Sequence, residues 1–86
     1  MNYTSITGRP PQEPPTLMGV RLQALRMEKG WTQEKLAEKS GVSVSTIKNV
    51  EHGVRDPSLF SAICLADALG VTLDFLVLGR GTYTTS

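Results

Sequence analysis

The sequence predicts an all-α fold, a bundle of five short helices. Three observations favour this class: apolar residues recur at intervals of three and four, short polar residues that can cap a helix precede these stretches, and glycines follow them. No alternation of polar and apolar residues competes with the helical pattern.

Each predicted helix has a start signal and a stop signal. The candidate N-cap residues, in chain order, are Thr16, Thr32, Ser43, Asp56 and Thr72. Asp56 is followed by Pro57, and proline is favoured in the first turn of a helix. The glycines that end the five helices are Gly30, Gly41, Gly53, Gly70 and Gly79. The sequence therefore predicts five helices joined by short turns.

The chain divides into three segments by composition. Residues 1–16 hold four of the five prolines and little apolar periodicity, so we expect a flexible arm. Residues 17–79 form the predicted helical domain. Residues 80–86 are mainly Gly, Thr and Ser and are expected to form a flexible tail.

The bulk composition excludes several classes of protein. An 86-residue chain with 40% hydrophobic residues has room for one modest core. No apolar stretch approaches the roughly 18 residues that a membrane span needs, and the first residues do not resemble a signal peptide. The single cysteine, Cys64, excludes a disulfide scaffold and favours a reducing, cytoplasmic location. The net charge of +1 says little about partners and counts mildly against nucleic acid.

The pattern with most information covers residues 33–51. A helix-turn-helix needs two short helices joined by a tight turn. Ala37 is small where the second helix must approach the first, and Gly41 can adopt the positive φ of the turn. Val42 fills the corner between the helices, and Leu36, Ile47 and Val50 fill the space beneath them. The residues left facing outward on the second of these helices are Ser43, Val44, Ser45, Lys48 and Asn49.

With these motifs, residues 17–79 resemble the phage repressor and Cro family of Xre-type helix-turn-helix proteins. The residues that carry the resemblance are 30–37, 43–53 and 68–76. The resemblance implies a lambda-repressor-like domain of five helices that binds double-stranded DNA at a palindromic operator as a homodimer. It also implies a transcriptional regulator, in most cases a repressor.

The resemblance further implies roles for individual residues. Val44, Ser45 and Asn49 would face base edges, and Thr32, Gln33, Ser43 and Arg55 would contact phosphates. Arg26 and Glu51 match a structural ion pair between the first and third helices. The chemistry of the side chains agrees with these roles, because Asn can pair with adenine and Val can pack against a thymine methyl group. Lys48 can reach guanine or a phosphate, and phosphate is favoured because phosphates take most protein–DNA contacts. The family often has Gln or Arg where this chain has Val44, which leaves the operator sequence open.

Other readings of the same domain stay open at this stage. It also serves as an antitoxin that binds a toxin, as a controller of a restriction–modification operon, or as a protein-interaction module without DNA affinity. The candidate dimer residues lie around the fourth and fifth helices and are Phe60, Val71, Phe75 and Leu78. We expect no enzyme, metal or cofactor, because no side chains have suitable spacing for catalysis or metal binding.

Overall fold

The computed structural model describes residues 17–80, which form five α-helices joined by turns. The helices are α1 (Leu17–Glu28), α2 (Gln33–Ser40), α3 (Val44–Glu51), α4 (Leu59–Leu69) and α5 (Leu73–Leu78). The predicted all-α, five-helix fold is thus confirmed over this part of the chain. The predicted arm, the cap at Thr16 and residues 81–86 of the predicted tail lie outside the described residues.

Short polar residues start four of the helices. Thr32, Ser43 and Thr72 cap α2, α3 and α5 as predicted, and each side-chain oxygen accepts a hydrogen bond from the backbone N–H three residues on. The predicted cap of α4 is wrong. Ser58, not Asp56, accepts from the N–H of Ser61, at 3.1 Å, so α4 begins two residues later than Pro57 would place it. Both Asp56 and Ser58 are residue types that can cap a helix. Ser58 is the cap because it stands three residues before Ser61, whose backbone N–H needs an acceptor.

This difference makes a stability prediction with a built-in control. Ser58→Ala is expected to lower the free energy of unfolding by about 0.5–2 kcal/mol, because the N–H of Ser61 loses its acceptor. Asp56→Ala removes an exposed side chain that caps nothing and should stay within about 0.5 kcal/mol of wild type. Urea unfolding of both variants measures the two changes. A larger loss for Asp56→Ala would contradict the observed start of α4.

Every helix contributes one completely buried aliphatic side chain to a single core. These side chains are Leu22, Leu36, Ile47, Leu65 and Leu76, each with no exposed surface. Further buried residues join them into one cluster, and Trp31 packs against its edge. The core is therefore shared by all five helices, so the orientation of α3 depends on the whole domain.

Two contacts fix α1 against the rest of the bundle. Gly19 lies so close to the backbone of α3 that a Cβ atom there would collide with the carbonyl oxygen of Val50. At the same end of α1, Arg21 donates to the carbonyl oxygens of Leu76 and Val77, at 2.9 and 2.7 Å. These bonds satisfy carbonyls at the C-terminal end of α5, which otherwise lack partners within the helix.

Candidate nucleic-acid interface

The turn between α2 and α3 has three residues, Gly41 to Ser43. Gly41 has φ +78° and its N–H donates to the carbonyl oxygen of Ala37, which closes α2 in a left-handed conformation. Val42 is buried beneath the turn. The backbone therefore reverses sharply, and α3 packs on α2 through Leu36 and Ile47 of the core.

The outward side chains of α3 are mainly polar. Ser45 and Asn49 are one helical turn apart on the side opposite the buried Ile47, and Lys48 lies at the edge of that side. Val44 precedes Ile47 by three residues, so it lies on the flank nearer the core, at the start of the helix. Ser45 and Lys48 are exposed, while Val44 and Asn49 are half-buried. A helix of this width, with small side chains on one face, fits the major groove of B-DNA.

Two of these side chains have their bonding groups available. Within residues 17–80 the carboxamide of Asn49 makes no hydrogen bond, and Lys48 has no ion-pair partner. A free carboxamide offers a donor and an acceptor side by side, which is the arrangement that matches the major-groove edge of adenine. The face can thus make both specific and charge-based contacts.

Thr32 and Ser43, two of the predicted phosphate contacts, cap the N-termini of α2 and α3. Thr32 Oγ1 accepts from the N–H of Lys35 at 3.0 Å, which leaves its own hydroxyl proton available. Ser43 Oγ accepts from the N–H of Thr46 at 3.1 Å and donates to Thr46 Oγ1 at 2.9 Å. The hydroxyl proton of Ser43, which was expected to reach a phosphate, is therefore donated to Thr46 in the first turn of α3.

A buried polar network joins α1, α2 and α3 behind this face. Arg26 Nε donates to Glu51 Oε2 at 2.8 Å and Arg26 Nη2 donates to Glu51 Oε1 at 3.0 Å. Gln33 Nε2 donates to the same Oε1 at 3.0 Å, and Arg26 Nη1 donates to the carbonyl oxygen of Trp31 at 2.7 Å. The Glu51 side chain is only 1% exposed. One carboxylate thus fixes the end of α3 against both α1 and the start of α2.

The charge on Arg26 is favoured by this network. The hydrogen bonds that Arg26 donates to Glu51 raise the pKa of Arg26 above its ordinary value, burial works against that rise, and the nearby charges of Glu51 and Glu34 add to it. The raised pKa keeps the Arg26 guanidinium protonated in this site. A bidentate, buried pair of this kind holds a defined geometry, whereas the exposed Lys35–Glu38 pair at 3.5 Å adds little.

The structure separates the predicted dimer residues into two groups. Phe60 is 75% exposed and Leu78 is 53% exposed, so both are open to a partner. Val71 was predicted at a dimer surface and is instead 2% exposed in the core, because the chain turns inward after Gly70. Phe75 is half-buried and packs against the same core. Leu59 and Ile63, which sequence reasoning did not single out, extend the exposed apolar surface of α4 around Phe60.

Sequence reasoning also missed a contact beside the start of α2. Lys29 Nζ lies 5.4 Å from the centroid of the Trp31 ring, within the range of a cation–π interaction. The motifs begin at Gly30 and gave no reason to pair these two residues.

Arg55 lies exposed in the segment between α3 and α4 and has no ion-pair partner among the described residues. Over residues 17–80, no cluster of three His, Cys, Asp or Glu side chains could hold a metal ion. In the same part of the chain, no helix combines the length and apolar character needed to cross a membrane.

A family model described as helix-turn-helix matches residues 22–76, which is more than half of the chain. The chain belongs to the helix-turn-helix family. Among its relatives is the uncharacterized HTH-type transcriptional regulator YazB of Bacillus subtilis (strain 168), which is 40% identical over 60 residues. That match covers 70% of this chain and 87% of YazB.

Two solved helix-turn-helix structures share the arrangement of the helices. The restriction–modification controller protein C.AhdI of Aeromonas hydrophila is 40% identical with a TM-score of 0.68, covering 72% of this chain and 94% of C.AhdI. The P22 c2 repressor, solved in complex with a synthetic operator, is 31% identical with a TM-score of 0.71. That match covers 74% of this chain and 97% of the repressor chain. The resemblance to repressors seen in the sequence is confirmed.

Proposed function

We propose that this helix-turn-helix protein is a sequence-specific DNA-binding regulator of transcription that acts as a repressor. The observation that carries the proposal is the outer face of α3, which offers the Asn49 carboxamide and the Lys48 ammonium group, both without partners among residues 17–80, on a helix held from behind by Arg26 and Gln33. The similarity to a repressor solved with its operator supports the same function. Rigid support matters because base contacts tolerate little displacement.

The base contacts are assigned to Val44, Ser45 and Asn49. Asn49 would donate to N7 and accept from N6 only in the orientation that adenine provides, so it is the specific member of the three. Val44 would pack on a thymine methyl group. Ser45 can donate or accept and adds less selectivity.

The phosphate contacts are assigned to side chains around this face. Lys48 and Arg55 supply charge, because both are exposed and unpaired within the described residues. Gln33 uses one N–H on Glu51, and its second N–H is available to a phosphate oxygen. Thr32 can donate its hydroxyl proton. Ser43 is hydrogen-bonded to the hydroxyl of Thr46, and this pair of hydroxyl groups is assigned to the phosphate contact.

The DNA-binding unit is proposed to be a homodimer. The first half of α4 presents three exposed apolar side chains, Leu59, Phe60 and Ile63. Leu78, the last residue of α5, is a further exposed apolar side chain. Exposed apolar surface of this kind marks a protein–protein contact. A two-fold dimer would place its recognition helices about 34 Å apart, in successive major grooves, and would require a palindromic operator.

A second candidate is the controller of a restriction–modification operon. It is favoured by one observation, the 40% identity to C.AhdI over almost all of that protein. Both functions need the same operator contacts. They differ in whether the protein activates or represses a promoter, which a reporter assay with the selected operator distinguishes.

Asn49→Ala tests the base-reading assignment directly. We expect it to weaken binding to the selected operator by about 1–3 kcal/mol while leaving binding to unrelated duplex DNA unchanged. Arg55→Ala is the control, because loss of a phosphate contact by an exposed side chain with no ion pair among the described residues should weaken both DNAs equally. Fluorescence anisotropy with the two duplexes measures both variants. An equal loss on both DNAs for Asn49→Ala would remove it from the base-reading set.

A further inference from the structure

Resting on the proposed DNA binding, we propose that Lys29, held over the Trp31 ring, is a further phosphate contact of this domain, beside the start of α2. No sequence motif includes Lys29. The proposal follows from where the loop between α1 and α2 is anchored and from the charge balance around it.

The loop is tied to the end of the recognition helix through one guanidinium group. Arg26 Nη1 holds the carbonyl oxygen of Trp31 at 2.7 Å, while the rest of the same group holds Glu51. Glu51 in turn accepts from Gln33, the proposed phosphate contact at the start of α2. Trp31 and its neighbours therefore have a fixed position beside the α2 phosphate site.

The indole ring restricts where the Lys29 ammonium group can be. Lys29 is exposed, and a free lysine on a turn samples many directions at an entropic cost when it binds. Here Nζ lies 5.4 Å from the ring centroid, and attraction to the ring favours this position. The ammonium group keeps its remaining donors for an oxygen ligand, since the ring face takes up only one side of it.

Local charge favours a cation at this place. Arg26 and Glu51 cancel each other and Lys35 pairs with Glu38, while Glu34 adds a negative charge in the first turn of α2 and Glu28 adds one beside the loop. A phosphate approaching Gln33 would meet these carboxylates. Lys29 offsets part of their charge, so that the partial positive charge of the helix N-terminus can act on the phosphate.

The test is the salt dependence of binding to an unrelated-sequence duplex. Lys29→Met keeps most of the aliphatic chain and removes the charge, and it should reduce the slope of log K against log salt by about 0.9. Lys29→Arg keeps the charge and the contact with the ring, so its slope should equal that of wild type. Arg80→Met removes an exposed charge next to Gly79, which lies beside Arg21 in the first half of α1, and serves as the matched control with an unchanged slope.

Trp31 provides a second readout because it is the only tryptophan in the chain. Saturating DNA should change its emission in wild type and Lys29→Arg, and change it less in Lys29→Met. An unchanged slope for Lys29→Met, or no response of Trp31 to DNA, would overturn the proposal for Lys29. If wild type itself binds no DNA with a measurable salt slope, the proposed function fails as a whole.

Discussion

Replacing Arg26 with leucine is expected to lower the free energy of unfolding by about 3–5 kcal/mol. The substitution leaves the Glu51 carboxylate, 1% exposed, without its cationic partner. It also removes the donor to the carbonyl oxygen of Trp31, so the loop before α2 loses an anchor. Chemical denaturation followed by circular dichroism measures the loss. A change below about 1 kcal/mol would show that the pair behaves as an exposed one.

A double variant distinguishes a stranded charge from lost packing. Arg26→Leu combined with Glu51→Leu removes both charges, so no uncompensated ion remains in the interior. We expect the double variant to be more stable than Arg26→Leu alone. If the two losses simply add, the pair contributes through side-chain packing and not through charge compensation.

Gly19→Ala is expected to lower the free energy of unfolding by about 2–3 kcal/mol. On an ordinary helix the change would be stabilising, because alanine has the higher helix propensity. Here the new Cβ would meet backbone atoms of α3, the carbonyl carbon of Val50 at 3.1 Å and Glu51 Cα at 3.2 Å, and backbone cannot rotate away. The helices must separate, which exposes part of the shared core.

Gln23→Ala is the matched control for this prediction. Gln23 lies one turn further along α1 and is exposed, so its replacement should change the free energy of unfolding by less than about 0.5 kcal/mol. Thermal unfolding of both variants provides the comparison. A stabilised Gly19→Ala variant would mean that α1 and α3 do not approach as closely as the structure shows.

Local sequence rules predicted the helices because caps and C-terminal glycines act within a few residues. They did not select between Asp56 and Ser58, since both residues can cap and only the position of the first free N–H decides. Likewise, Val71 is an apolar residue after a helix and could lie outside or inside. Its burial depends on how the chain turns at Gly70 and packs on the core, which no short pattern encodes.

The site was predicted unevenly for the same reason. The outward face of α3 follows from helical periodicity around Ile47 and Val50. The pairing of Arg26 with Glu51, 25 residues apart, came from the family resemblance and not from spacing, and the structure brings them together. The shared use of Glu51 by Gln33 arises only when the three helices meet, so helical periodicity does not indicate it. Lys29 and Trp31 are two residues apart in the loop after α1, where neither caps nor helical periodicity predict the directions of the side chains.

The central claim is tested most directly by selecting duplexes from a random DNA library with the purified, folded chain at moderate salt. We expect an enriched palindrome whose half-sites lie about one helical turn, 10–10.5 base pairs, apart, centre to centre. We also expect Asn49→Ala to relax the preference for one adenine in each half-site. Enrichment of no sequence by a folded protein would contradict operator binding and point to a protein partner for the same domain.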